Sequence, residues 1–293
     1  MSPEASPGLR DQAEGPSVPP ATASKVPTRR YPTPAGYIQR MLADATLPRL
    51  LIRGAECMLL SQVEFARPML DVGSGDGSFA DALFAEPVDV GLDPWRSQML
   101  YSRRLRVYKD LVQAAGNPMP FQDGAFGSIL SNSTLEHTQD PWAIIREMYR
   151  VARPGATCVI TVPSEYFPKY LLGSSLLSSL RLDGPARLYG AFLNRVSRHV
   201  HIQPPEVWRK WLEDAGFEVA EWRYYFSARD TMLLDLSHYV SAPSIVTHAL
   251  LKRWVLIPGK HRVLPYARVL APFAWPGDRK DSGAYIFFRC VKP

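Results

Sequence analysis

The chain has 293 residues, 46 % hydrophobic and 21 % charged, which suits one globular domain of moderate size carrying insertions. No run approaches the roughly 18 uncharged apolar residues that cross a bilayer, and three widely spaced cysteines (Cys57, Cys158, Cys290) argue against a disulfide framework or a zinc site and fit a reducing cytoplasm. Lys and Arg exceed Asp and Glu by 34 to 28, a formal charge of +6, but the arginines are scattered except in the C-terminal third, so nucleic-acid binding is unsupported.

Residues 1–34 are rich in Pro, Ser, Ala and charge, with neither apolar periodicity nor a signal-like apolar region, and read as a disordered tail before a domain at 35–293. Apolar residues at 47, 50, 51, 55, 58 and 59 predict an amphipathic helix. Pro68 breaks it, and a strand at 69–72, a helix at 78–84 and a strand at 88–92 follow, the last ending at Asp93-Pro94. A helix near 97–105 and strands near 110–114 and 127–130 come next. Asp140-Pro141 predicts a capped helix start, with Ile144, Ile145, Met148, Val151 and Ala152 on one side and Gly155 as its close. A β-branched strand at 157–162, a helix at 205–215 closed by Gly216, and strands at 217–226 and 284–290 complete the pattern. Strands alternating with helices imply a mostly parallel α/β sheet wound on both faces. Two apolar-plus-basic insertions, at about 164–203 and 227–283, are expected to shape a substrate site.

The richest stretch is Leu70-Asp71-Val72-Gly73-Ser74-Gly75-Asp76-Gly77-Ser78, where a strand runs into alternate glycines and then a helix. Such a turn brings backbone close to a ligand at a helix N-terminus. The spacing is not the dinucleotide fingerprint, which needs a glycine where Ser78 stands. Asp93 closes the second strand, where a carboxylate accepts ribose hydroxyls. The loop therefore suits a nucleoside carrying a small polar group better than a pyrophosphate.

These residues resemble the class I S-adenosylmethionine-dependent methyltransferases of the small-molecule type. Residues 70–77 resemble the family's first motif, and Gly91-Leu92-Asp93 its acidic strand end. The stretch from Met119 to Phe126 is similar to its "LPF-x-D-x-x-F" loop, Leu135-Glu136-His137 to the segment after strand four, and residues 150–155 to its "RVLKPGG" turn. "AGFEV" at 215–219 extends the likeness. The resemblance implies a seven-stranded Rossmann-like fold with helical insertions. It also implies S-adenosylmethionine as cofactor, held by Asp71, Gly73, Ser74, Gly75, Asp76, Gly77, Asp93, Pro94, Asn117 and Asn132. Two positions depart from the pattern. Ala115 stands where the family places the acidic partner of the adenine amino group, and Gly127 follows Phe126 in place of an aspartate.

Methyl transfer from a sulfonium is an in-line displacement, and the protein's task is to hold the acceptor near the methyl group and exclude water. His137 is the expected catalytic base, with Glu136 orienting it. Tyr166 and His201 are expected on the substrate side, with Glu165 and His199 beside them, and no metal-ligand spacing is present. Residues 131–134 lack the prolines and aromatic of base-amino methyltransferases. The expected acceptor is therefore an oxygen of a glycan, lipid-linked or secondary-metabolite substrate. Residues 240–275 suit either an apolar lid or peripheral contact with a membrane, in a cytoplasmic protein. The rival readings are a cofactor-binding protein without turnover, given Ala115 and Gly127, and a nicotinamide-dependent oxidoreductase.

Overall fold

The computed structural model describes residues 9–10, 18, 24–42, 45–251, 268–269, 271–274 and 281–293, and of 9–10, 240–251 and 273 the backbone alone. Its centre is a sheet of seven principal strands: β1 (Met69–Val72), β2 (Val88–Asp93), β3 (Tyr108–Gln113), β4 (Phe126–Asn132), β5 (Ala152–Pro163), β6 (Glu218–Tyr225) and β7 (Tyr285–Val291). Their order is β3-β2-β1-β4-β5-β7-β6, and a two-residue strand, Leu9–Arg10, runs parallel beside β3. The first five principal strands are parallel, while β7 lies antiparallel between β5 and β6. The strand order reverses outward from β1, and the crevice at that switch is where open α/β sheets take ligands.

Both faces are covered, which is why the strands read as near-continuous apolar runs. Met69 packs with one layer and Leu70 and Val72 with the other. The first layer holds α1 (Pro34–Met41), α2 (Leu47–Leu60), α3 (Ser78–Leu83) and α4 (Arg96–Leu105); the second holds α5 (Pro141–Val151) and, later in the chain, α9 (Pro205–Asp214). The first insertion forms α6 (Phe167–Tyr170), α7 (Leu172–Ser179) and α8 (Asp183–Val196), and the second begins with α10 (Ala228–Leu251).

Several boundaries differ from the sequence reading. Residues 24–34 are not part of a tail: Lys25–Val26 pairs with Phe65–Ala66, Val26 is buried, and the Tyr37 hydroxyl donates to the Arg29 carbonyl at 2.6 Å. Helix α2 is amphipathic as expected, with Arg49 and Arg53 on its less buried side, and α1, α3 and α10 all pack on it. Helix α5 ends at Val151 instead of running to Gly155, since the chain bulges out of the β4–β5 ladder between Ala152 and Thr157. Strand β3 begins two residues earlier than expected, with Tyr108 buried on the α2 side. Lys252, Arg253, Lys260, His261 and Arg262, which motivated the reading of 240–275, lie outside the described residues.

Candidate functional site

The carboxyl ends of β1, β2 and β4 meet above the switch point. The glycine loop leaves β1 there, its Gly73 and Ser74 amides both donating to the Leu92 carbonyl, at 2.8 and 3.0 Å. Gly73 has φ of +77°, and a Cβ on it would run into the Thr134 side chain, so the segment that follows β4 closes directly over the loop. Gly77, at φ +76°, is where a Cβ would strike Val107 and Ser102; that glycine serves helix packing.

A cavity of about 600 Å³ opens beside this loop, within the usual range for small-molecule sites. Gly73, Asp93, Pro94, Asn117 and His137, all expected from the sequence, line it together with Ala115, Thr134 and Ile144. Asp93 Oδ2 accepts from the Gly75 amide at 2.9 Å and Oδ1 from the Trp95 amide at 2.8 Å. It is therefore a cap, yet each oxygen keeps a second lone pair for a ligand hydroxyl. Burial raises its carboxyl above the ordinary carboxylate value, and the two amides oppose that rise.

Other expected cofactor residues are committed elsewhere. Asp76 takes both terminal nitrogens of Arg49 and caps α3 through the Ser78 amide at 3.0 Å, an ion pair that helps hold its carboxyl near 2 against burial. Asn132 donates to Glu56 at 2.9 Å and accepts from Thr161 at 2.8 Å, so both ends of its amide are used inside the protein. Asp71 is buried beneath the loop with the Tyr108 hydroxyl on it at 2.6 Å; burial pushes its carboxyl up to about 6. Ser74 is buried with no partner for its hydroxyl.

The Pro-Phe loop is fastened by α5. Arg150 donates to the carbonyls of Met119 and Phe121 at 2.9 and 2.7 Å and to Asp123 and Glu147, while Glu147 accepts the Met119 amide at 2.6 Å. Two segments that resemble family motifs are thus one mechanical unit, which sets Ala115 and Asn117 against the cavity.

Ser133, which also lines the cavity, sits at φ +48° and donates its hydroxyl to Glu56 at 2.8 Å. Glu56, fully buried in α2, also accepts from Arg53 at 2.6 Å and from the Tyr225 hydroxyl at 3.2 Å. Sequence reasoning missed Arg53 and Glu56. The available signal was a charged pair three residues apart inside an otherwise apolar helix.

Next along the chain, Glu136 is 1 % exposed, and its Oε2 has no hydrogen-bond partner. Burial pushes its carboxyl up to about 8. Residues 198–201, at the end of the first insertion, dock on it: the amides of Val200 and His201 donate to the Glu136 carbonyl at 2.7 and 3.1 Å. Arg198, at φ +58°, turns its carbonyl to within 3.0 Å of His137 Nδ1. His137 and His199 consequently face each other with ring centres 5.4 Å apart, and burial lowers both imidazoles, His199 to about 3. The sequence reading found no metal-ligand spacing, but the fold gathers Glu136, His137 and His199 into one group of nitrogen and oxygen donors.

The remaining expected residues lie at the margin. His201 Nε2 is 3.3 Å from the carbonyl of Gln139, a cavity residue. Tyr166 stacks on Tyr170 and meets Tyr224 edge-on, and it does not line the cavity. Glu165 accepts the Tyr224 hydroxyl at 2.8 Å.

With this geometry in place the relatives can be compared. Residues 70–160 match the family described as "Methyltransferase domain". Residues 70–160 are a methyltransferase domain of the class I S-adenosylmethionine-dependent type. Over 96 residues it is 38 % identical to an uncharacterised methyltransferase of Mycobacterium sp. (strain KMS), a match covering 32 % of this chain and 38 % of that one. A second 96-residue match, 41 % identical, is to an uncharacterised protein of Mycobacterium tuberculosis and covers 33 % of this chain and 32 % of that one. The match thus spans about a third of the length of these relatives. An S-adenosylmethionine-dependent methyltransferase from Thermotoga maritima superposes with a TM-score of 0.51 at 13 % identity, over 84 % of this chain and 91 % of that one, and so shares the fold.

Proposed function

We propose that the protein transfers the methyl group of S-adenosylmethionine to an oxygen of a small or lipid-linked acceptor. The observation that carries this reading is one cavity lined together by Gly73, Asp93 and His137. The residues fit the cofactor: Asp93 keeps lone pairs for the ribose hydroxyls, Gly73 brings backbone to the cavity without a side chain, and Asn117 lines the same wall as Ala115. When bound, the cofactor supplies a sulfonium methyl whose departing electron pair stays on sulfur. Activation of the acceptor oxygen falls to the polar cluster around His137, whose side chain lines the cavity and remains 41 % exposed.

A lipid-linked acceptor is favoured by the first insertion. Leu176 and Leu180 on and after α7, and Leu188, Phe192 and Val196 on α8, stand exposed at four-residue spacing along two helices packed on each other. Lys169, Arg181, Arg187, Arg195 and Arg198 accompany them against one acid, Asp183. Apolar stripes edged with arginine suit an anionic lipid surface, and we place the peripheral membrane contact there. Among the described residues no helix is long and apolar enough to cross a membrane.

Calorimetric titration with S-adenosylmethionine and, separately, with NAD tests the cofactor. Saturable binding of the first alone is expected, and NAD binding would favour an oxidoreductase. Release of labelled methyl to lipid and glycan extracts tests turnover; cofactor binding without any transfer would leave a binding protein.

A further inference from the structure

We propose that Glu136, His137 and His199 bind one divalent transition-metal ion, of which Zn²⁺ is the representative, at the rim of the cofactor cavity. The inference rests on the methyl-transfer reading for its purpose, though not for its geometry. One carboxylate oxygen and one nitrogen from each ring lie within 4.8 Å of one another. His137 Nε2 is 3.7 Å from Glu136 Oε1, too long for a hydrogen bond. Tetrahedral zinc, with bonds of about 2.0–2.1 Å, holds neighbouring donors about 3.3 Å apart, so small rotations of the rings close the set.

The surroundings prepare these groups as ligands. His137 Nδ1–H donates to the Arg198 carbonyl at 3.0 Å, which leaves Nε2 with its lone pair directed at the cluster. A carbonyl on the distal nitrogen is the usual support of a metal-bound imidazole. His199 Nδ1 is buried without a partner, and so is Glu136 Oε2. Arg53, whose field reaches Glu136, gives its hydrogen bond to Glu56 instead. Glu136 and His199 each bring a buried polar atom without a partner to the cluster, and a bound cation gives such residues a partner. Two imidazoles and one carboxylate select zinc-like ions over Ca²⁺ or Mg²⁺, which prefer all-oxygen sites. Three protein ligands also leave a fourth position, as in catalytic zinc sites.

That position borders the cavity through His137. An acceptor hydroxyl placed there is acidified by the ion and gives its proton to solvent water. The freed oxygen pair forms the O–C bond while the C–S bond of the donor breaks and its pair returns to sulfur.

The test uses the full chain, free of any affinity tag and stripped with chelator, titrated calorimetrically with Zn²⁺. One equivalent is expected, with affinity falling by at least about tenfold in His137→Gln, His199→Gln and Glu136→Gln and unchanged in His201→Gln. Co²⁺ should give a nitrogen–oxygen spectrum without a sulfur charge-transfer band, which sets aside Cys57, Cys158 and Cys290. Absence of stoichiometric Zn²⁺ binding to the unaltered chain overturns the proposal, as does equal binding by all four variants. Titration with S-adenosylmethionine on the same preparation separates the two readings: a chain that binds zinc and not the cofactor keeps this site and loses the methyl-transfer reading. Cofactor binding without zinc has the reverse meaning.

Discussion

Asp93 carries two tasks with one carboxylate, and they are separable by measurement. Its amide bonds to Gly75 and Trp95 shape the cleft, while its outer lone pairs are those proposed for the ribose. Charge-assisted hydrogen bonds contribute about 1.5–3 kcal/mol, so Asp93→Ala should weaken S-adenosylmethionine binding by about 10- to 100-fold in calorimetry, and an unchanged affinity would remove Asp93 from the site. Asp71 behaves differently, because its carboxyl is held up at about 6 by burial, against the 3.8 of an exposed aspartate. The unfolded chain therefore ionises first, and stability falls as pH rises from about 4 to about 6 and stays lower above that. Asp71→Asn, which retains an acceptor for the Tyr108 hydroxyl, should be neutral near pH 4. It should stabilise the fold by about 1–3 kcal/mol at pH 7.5 in urea titrations. A constant difference across that range would mean that Asp71 is already ionised in the folded chain.

At the scale of elements, Arg150 joins α5 to the loop that precedes β4. Losing its bonds to the Met119 and Phe121 carbonyls in Arg150→Met should cost about 1–3 kcal/mol in urea unfolding. It should also raise the dissociation constant for S-adenosylmethionine, since the Ala115–Asn117 wall is set by that loop. A variant destabilised but unchanged in cofactor affinity would uncouple loop from site. The central strands were legible in the sequence because apolar runs such as Met69–Val72 end at prolines and glycines, punctuation that local chemistry dictates. The cavity beside the glycine loop was legible for the same reason: Gly73 and Asp93 stand at strand ends. What was hidden depends on contacts distant in sequence. Asp76 reads as part of the loop until Arg49 takes its carboxylate, and Asn132 reads as a strand-end ligand until Glu56 accepts from its amide. His199 reaches Glu136 and His137 only because Arg198 adopts a left-handed turn at the end of an insertion whose path no spacing rule encodes.

At the scale of the whole molecule, the insertion that completes the polar cluster also carries the exposed apolar stripes, so the proposed substrate site and the proposed membrane contact fall on one insertion. Lipid contact should combine two contributions: apolar burial of Leu188, Phe192 and their neighbours, and about 1 kcal/mol for each arginine near an anionic surface. Sedimentation with phosphatidylglycerol-containing vesicles should accordingly pull down the full chain at low salt and less of it at high salt, as screening removes the charge contribution. Pure phosphatidylcholine should capture little. The double variant Leu188→Ser and Phe192→Ser, both on the exposed side of α8, should keep its melting temperature and lose most of the vesicle binding. Binding unaffected by that change would place the contact elsewhere. A concentration-dependent dimer that dissociates in the double variant, with no vesicle binding by the unaltered chain, would assign the stripes to a second copy of the protein instead of a membrane.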